Sequence, residues 1–197
     1  MSPWVATESQ VRNGMSYAFS EWSDAGAQSR DIRIGNAGQT LTASFAASPA
    51  GVRAVNLGGP AVMIDGVVWQ SQAEAGVITN RTLVLKADLL LPPVASGERA
   101  AMLRTSRCLR AGLTVRVPQV AKGSYDVFMS VMEENFPVSF SLDPEGARML
   151  TGATSGAGGS WSWLGPYRVP VADGALNLKA SAVSANVAGL EIVPVTG

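Results

Sequence analysis

Histidine is absent from this 197-residue chain. That removes the commonest general acid–base group, the commonest imidazole metal ligand, and every Ser-His or Cys-His nucleophile pair. The single cysteine, Cys108, excludes an intramolecular disulfide and a thiolate-clustered zinc site, and reads as a small buried filler. Charge is scarce: 15% of residues are charged, below the usual quarter, and 15 basic side chains balance 15 acidic ones. No basic face follows, so neither nucleic acid nor an anionic membrane is an expected partner. Every apolar run is far shorter than a membrane span. The N-terminus lacks a charged-then-apolar signal pattern, so for a secreted or cell-surface protein the export signal is expected outside this sequence.

What the chain does have is period-two patterning broken by turn residues. Tyr17 and Phe19 alternate with small residues before a polar turn at Trp22-Ser23-Asp24-Ala25-Gly26. Ile32 and Ile34 alternate with Asp31 and Arg33, Gly35-Asn36 turns the chain, and Leu41, Ala43 and Phe45 alternate again. These patterns predict a unit of about three antiparallel strands over residues 1–48, with a thin core anchored by Trp22. The small residues from Ala46 to Gly51 predict a linker, placed at 49–51, and a second domain over 52–197.

The second domain opens on Arg53–Gln70, RAVNLGGPAVMIDGVVWQ. Its Gly58-Gly59 pair is not followed by Gly-x-Gly-x-x-Gly or by Lys-Ser/Thr, which excludes a phosphate loop. A strand, a glycine turn for close backbone approach and a second short strand are predicted instead, with Asp65 as a turn former and Trp69 in the core. Further on, Thr82–Leu91 is apolar up to Pro92-Pro93. Residues Ser96–Met102 favour one or two helical turns. Tyr125–Met132 is apolar on almost both faces, as a central strand requires. About eight strands with almost no helix predict an all-β antiparallel sandwich, a jelly roll.

Two resemblances fit these patterns. YAFSEWSDAG and LTASF are similar to the second half of a small β-sandwich repeat of secreted bacterial proteins, with Ala25 where that family has glycine. A truncated repeat of this kind leaves an edge able to pair with the following domain or a second chain, so self-association is an expectation. From Val52 to Val195, four stretches in order resemble a malectin-like domain: AVNLGG with IDGVVWQ, MLRTSRCLRAGLTVRVP, GSYDVFMSVMEENFPVSFSLD, and VADGALNLKASAVSANVAGLEIVPV. The resemblance implies a carbohydrate-binding β-sandwich. It also implies where that family's sugar contacts fall: Met102 and Cys108 stand where tyrosines are expected, Asn135-Phe136 follows the central strand, and Asn186 precedes the last strand.

Sugar recognition needs aromatic faces for a pyranose ring and planar polar groups for its hydroxyls. Trp161 and Trp163, two apart in SGAGGSWSWLGPY, would face one way in an extended segment, about 6.5 to 7 Å apart. They either form a platform in a glycine-rich loop or fold back over the sandwich end. Glu133, Glu134 and Asn135 either cap hydroxyls or form a solvated strand end. Arg104 and Arg107 are available to a sugar or to surface ion pairs. Adjacent glutamates face opposite ways in a strand, so they make a poor acid–base set, and no enzyme activity is expected. No cofactor is expected, although a structural Ca²⁺ on carbonyls and Asp side chains is compatible with the composition. The expected function is a non-catalytic carbohydrate-binding module that targets an attached exported bacterial enzyme to a polysaccharide, through Trp161, Trp163, Phe136, Asn135, Glu134, Asn186 and Arg107. The alternative is a structural or adhesive spacer that mediates protein contacts without binding sugar.

Overall fold

The alternating segments are strands in the computed structural model, and the turn residues bend the chain between them. The structure describes residues 4–5, 9–12, 15–27, 29–30, 40–49, 51–80, 84–86, 88–95, 97–109, 113–181 and 185–195. The Ile32/Ile34 strand and the Gly35-Asn36 turn lie outside these, as do Thr82, Ser96 and the side chain of Cys108. Two compact units are present: Met1–Val52 with Asp65–Val68, and Arg53–Ile64 with Trp69–Gly197.

The first unit contains β1 (Trp4–Val5), β2 (Ser9–Arg12), β3 (Met15–Trp22), β4 (Ser29–Arg30) and β5 (Ala43–Pro49). β2, β3 and β5 make a three-stranded antiparallel sheet, and β1 pairs with β4. Phe19 packs 5.8 Å from Trp22 and 6.0 Å from Phe45, ring centroid to ring centroid, and Trp22 is buried. Ala25 holds a left-handed φ of 54°, a conformation that glycine adopts without the Cβ penalty. Ala46–Pro49, read from the sequence as linker, instead continues β5 against Met15–Ala18. Small side chains tolerate an edge strand as well as a linker, so composition does not separate the two.

The chain continues with β6 (Arg53–Asn56), β7 (Val62–Ile64), β8 (Val67–Ser71, of which Trp69–Ser71 belong to the second unit), β9 (Ile78–Thr79), β10 (Val84–Lys86) and α1 (Gly97–Leu103). After these come β11 (Thr105–Leu109), β12 (Thr114–Pro118), β13 (Gly123–Met132) and β14 (Ser139–Pro144). The last four strands are β15 (Leu150–Thr154), β16 (Trp161–Val171), β17 (Ala175–Ser181) and β18 (Ala185–Pro194). One sheet has β13 between β16 and β18. The other edge of β18 is shared, Ala185–Val187 pairing with β11 and Gly189–Ile192 with β6. The second sheet runs β15-β14-β17-β12-β9.

The fold is thus an all-β sandwich. Its core lies between the inward residues of both sheets, among them Val127, Met129 and Val131 on β13, Phe140 on β14, and Leu176 and Leu178 on β17. β13 lies within its sheet, as its two-sided apolar pattern predicts: its alternate residues Phe128, Ser130 and Met132 meet a second layer outside the sheet. That layer is α1, whose Ala100, Met102 and Leu103 are buried, together with Trp69 of β8. A Cβ at Gly189 would stand 2.6 Å from the Trp69 ring and 2.9 Å from Met102 Sδ, so this glycine is where the outer layer touches the sheet backbone.

The opening stretch folds nearly as its turn chemistry predicts. Asp65 and Gly66 both hold positive φ, 52° and 78°, as a two-residue type I′ hairpin requires. Asn56 organises the Gly-Gly loop, its Oδ1 accepting from the Gly58 and Gly59 amides at 3.3 and 3.0 Å and its Nδ2 donating to Pro60 O at 2.8 Å. β6 then pairs with β8 in parallel, not as a simple hairpin partner.

Candidate functional site

The end of the sandwich where β13 stops gathers most of the residues singled out above. Met132 lies opposite Trp161 of β16 on one side and Asn186 of β18 on the other, and Asn186 lies opposite Cys108 of β11. At about 4.8 Å per strand, the backbones of Trp161 and Asn186 are about 10 Å apart. Arg107 is the next residue on β11, opposite Val187.

Beyond Met132 the chain makes a tight loop braced by Glu133, which is only 4% exposed. One carboxylate oxygen accepts from the amides of Glu134 and Asn135 at 2.9 and 3.0 Å; the other accepts from Ser155 Oγ at 2.5 Å. Ser155 Oγ in turn accepts from the Val138 amide at 3.0 Å. The Glu133 backbone closes the same contact, its N–H donating to Ser160 O and its carbonyl accepting from Gly159. Glu133 therefore spends its acceptors on the protein itself.

Two glycines allow this packing. A Cβ at Gly158 would stand 2.8 Å from Asn135 O, and one at Gly159 would stand 2.3 Å from Leu90 O. Gly159 also holds φ at 83°, which a side chain would resist. Segment 88–95 is further tied down where Trp161 N–H and Nε1–H donate to the carbonyls of Pro92 and Pro93, at 3.4 and 2.6 Å. Three loops thus converge around Trp161. They leave Leu90, Val94 and Phe136 exposed at 90%, 96% and 67%, with Asn135 also exposed and Glu134 half-buried.

Trp161 and Trp163 are both half-buried and belong to strand β16, so the glycine-rich loop expected around them ends at Ser160. Trp163 stacks on Phe128 at 5.8 Å and 26°, and meets Trp69 edge-on at 5.6 Å and 65°. Arg99 of α1 lies over both indoles, its Cζ 5.9 Å from the Trp161 centroid and 5.5 Å from that of Trp163. The two alternatives for the pair are therefore divided between them and within each ring: Trp163 covers the sheet, Trp161 anchors a loop, and both keep some exposure.

Asn186 is buried, and its Oδ1 has no protein partner, as is also true of Ser106 Oγ and Ser130 Oγ. Arg107 donates through Nε to Leu57 O at 2.9 Å and to Gln72 Oε1 at 2.8 Å, and burial lowers its pKa. Arg104 donates to Leu89 O and lies 3.7 Å from Asp88. Both arginines thus serve neighbouring loops. The structure brings the loop that carries Glu134, Asn135 and Phe136 against the glycine loop that leads into Trp161 and Trp163, buries Asn186 two strands from Trp161, and turns Arg107 to Leu57 and Gln72. Glu133 and Arg99 were not singled out as brace and cover; the glycine pair 158–159 was the available signal for the first. Arg99 had none, because a helix of seven residues shows too little periodicity to assign its faces.

Glu191 on β18 shares the outer layer with Arg99. Burial raises its pKa from the ordinary 4.5, while the Arg99 charge pulls the other way. A carboxyl raised above its unfolded value contributes stability that is full when it is protonated. That contribution is lost as pH rises from the unfolded value through the folded one. Glu191→Gln is accordingly expected to raise the melting temperature at pH 7 and to leave it unchanged below pH 4, as thermal unfolding at the two pH values would read. A lower melting temperature at pH 7 would mean that Arg99 outweighs burial.

Among the described residues no three His, Cys, Asp or Glu side chains gather as a metal site, and no helix is long and apolar enough to cross a membrane. A cavity of about 10 Å³ in the core is lined only by apolar side chains such as Leu57, Met129 and Leu190, and so offers a saccharide no hydrogen-bonding group.

The class that this architecture defines is the β-sandwich shared by malectin-like ectodomains of plant receptor kinases and a domain of a bacterial β-glucuronidase. The ANX2 ectodomain of Arabidopsis thaliana matches at a TM-score of 0.59 and 15% identity, over 74% of this chain and 50% of that one. The ANXUR1 extracellular domain of the same plant matches at 0.58 and 16%, over 74% and 48%. Bacteroides uniformis β-glucuronidase 2 matches at 0.61 and 10%, over 92% of this chain and 22% of that one. This chain therefore spans about a fifth to a half of the chains it matches. At these identities the likeness is one of fold. No protein-family profile matches the chain, and no curated protein matches it in sequence.

Proposed function

We propose that the second unit is a non-catalytic carbohydrate-binding module, acting outside the cell and holding an attached exported enzyme on a polysaccharide without a cofactor. The observation that carries this reading is the sandwich end itself, where half-exposed Trp161 and Trp163 start β16 and the preceding 158–159 glycines pack against the Glu133-braced loop that carries exposed Asn135 and Phe136. Aromatic rings beside an amide are what a pyranose ring and its hydroxyls need, and loops fixed before binding lose little entropy on it. Micromolar to millimolar affinity, roughly −8 to −4 kcal/mol, is sufficient because tethering raises the effective concentration. Fold-level likeness adds the setting: extracellular domains and a glycosidase domain share the scaffold, which by itself fixes no ligand.

Calorimetry and affinity electrophoresis against a panel of neutral and acidic polysaccharides test the reading. Binding to at least one is expected, with a loss of ten-fold or more in Trp161→Ala and Phe136→Ala. No binding across the panel would overturn it. A protein-contact role is the second reading, favoured by Leu90 and Val94, whose aliphatic side chains are almost fully exposed on the segment that Trp161 ties down and have no use in a sugar site. Unchanged glycan binding in Leu90→Ser/Val94→Ser separates that surface from the sugar contacts.

A further inference from the structure

A neutral pyranose stacks on an open aromatic face, and the faces of Trp161 and Trp163 are shared with a cation. Arg99 lies within 6 Å of both ring centroids, at 5.9 and 5.5 Å. A guanidinium over an indole is held by the ring quadrupole. A neutral sugar that uses the same faces has to displace it. A sugar carrying a carboxylate uses it instead, since the guanidinium fork accepts a carboxylate through two parallel N–H···O bonds while remaining stacked on the rings. We propose that Arg99 makes the Trp161–Trp163 surface selective for a carboxylate-bearing saccharide, with the carboxylate held by the Arg99 guanidinium. This rests on the carbohydrate-binding reading and names the ligand class for it.

Glu191 supplies an independent signature. It lies opposite Phe128 of β13 and Ala54 of β6, half-buried, with the Arg99 charge acting on it. The other charged groups on the elements packed there are committed elsewhere or exposed. On β13, Asp126 accepts from Arg168 at 2.6 and 3.1 Å. On β6, Arg53 donates to the carbonyls of Pro118 and Ala75. On α1, Glu98 faces solvent. Once a ligand carboxylate shares Arg99, the attraction that favours ionised Glu191 weakens while its burial remains. Glu191 then takes up a proton, and binding tightens as pH falls toward the range where Glu191 titrates.

The experiment measures binding of alginate and glucuronoxylan, each beside its carboxyl-reduced form, by calorimetry at pH 7 and pH 5. At least one acidic polymer is expected to bind ten-fold or more tightly than its reduced form. Arg99→Gln should remove that preference and Arg99→Lys restore part of it, with circular dichroism reporting the fold of each. Glu191→Gln should keep the preference and abolish its change between the two pH values. Equal binding of the acidic and reduced polymers, or an acidic preference that survives Arg99→Gln, overturns the inference. Binding of neutral glycans alone overturns it while leaving the carbohydrate-binding reading intact, whereas no binding at all removes both.

Discussion

Glu133→Ala is expected to lose about 3–5 kcal/mol of folding free energy. The carboxylate is buried and accepts three hydrogen bonds, from the Glu134 and Asn135 amides and from Ser155 Oγ. Hydrogen bonds to an ionised acceptor contribute about 1.5–3 kcal/mol each, and a donor left buried without a partner costs about 1–3 kcal/mol. Water entering the vacated space recovers part of that, which sets the upper figure. Glu133→Gln isolates geometry from charge. Its Oε1 still serves both amides, and its Nε2 donates to Ser155 Oγ, whose own proton turns toward Val138 O, 3.4 Å away. A loss of about 1 kcal/mol is expected for Gln. Urea unfolding at constant slope measures both. If alanine costs no more than glutamine, Glu133 does not brace the loop. Glycan binding should follow the same order, because Asn135 and Phe136 ride on the loop that Glu133 closes.

The sandwich was legible because its information is local. Period-two alternation in Tyr125–Met132, Asp65-Gly66 at a hairpin, and helix-favouring residues before Met102 each report on a few neighbours, and each appears where expected. Strand number was underestimated because β7, β9 and β10 are two or three residues long, too short to show a period. The candidate site was less legible because its geometry is non-local. Asn186 and Phe136 come to one end through the register of β13 with β18, and a bulge in that register, with Ala188 as the extra residue, cannot be read from either strand alone. Burial then reassigns roles: Arg107 is drawn to Leu57 O and Gln72, and Glu133 to its own loop. Arg99 reaches the tryptophans from an element more than sixty residues away in sequence, a pairing that no spacing rule reports.

Gly58→Ala is expected to cost about 3 kcal/mol or more, enough to loosen β11 from the rest of the sheet. The added Cβ would stand 2.4 Å from Thr105 O, 2.5 Å from Thr105 C and 2.7 Å from Ser106 N, all backbone atoms with no rotamer to yield. Gly66→Ala is the control, since a Cβ there meets nothing within 4 Å and only its φ of 78° resists, at about 1 kcal/mol. Urea unfolding of the two variants separates close approach from backbone strain, and equal costs would show that the Gly58 loop can lift off β11 freely. Displacing the loop also moves Leu57, whose carbonyl accepts from Arg107 at 2.9 Å and whose amide donates to the bulged Ala188 carbonyl at 2.9 Å. Gly58→Ala should therefore weaken glycan binding as well as folding, because β18 carries both Asn186 at the sandwich end and Glu191 beneath Arg99. The Gly-Gly pair that resembles a phosphate cradle in one dimension acts in three as the point where the first strand of the second unit locks onto the strands that hold the site.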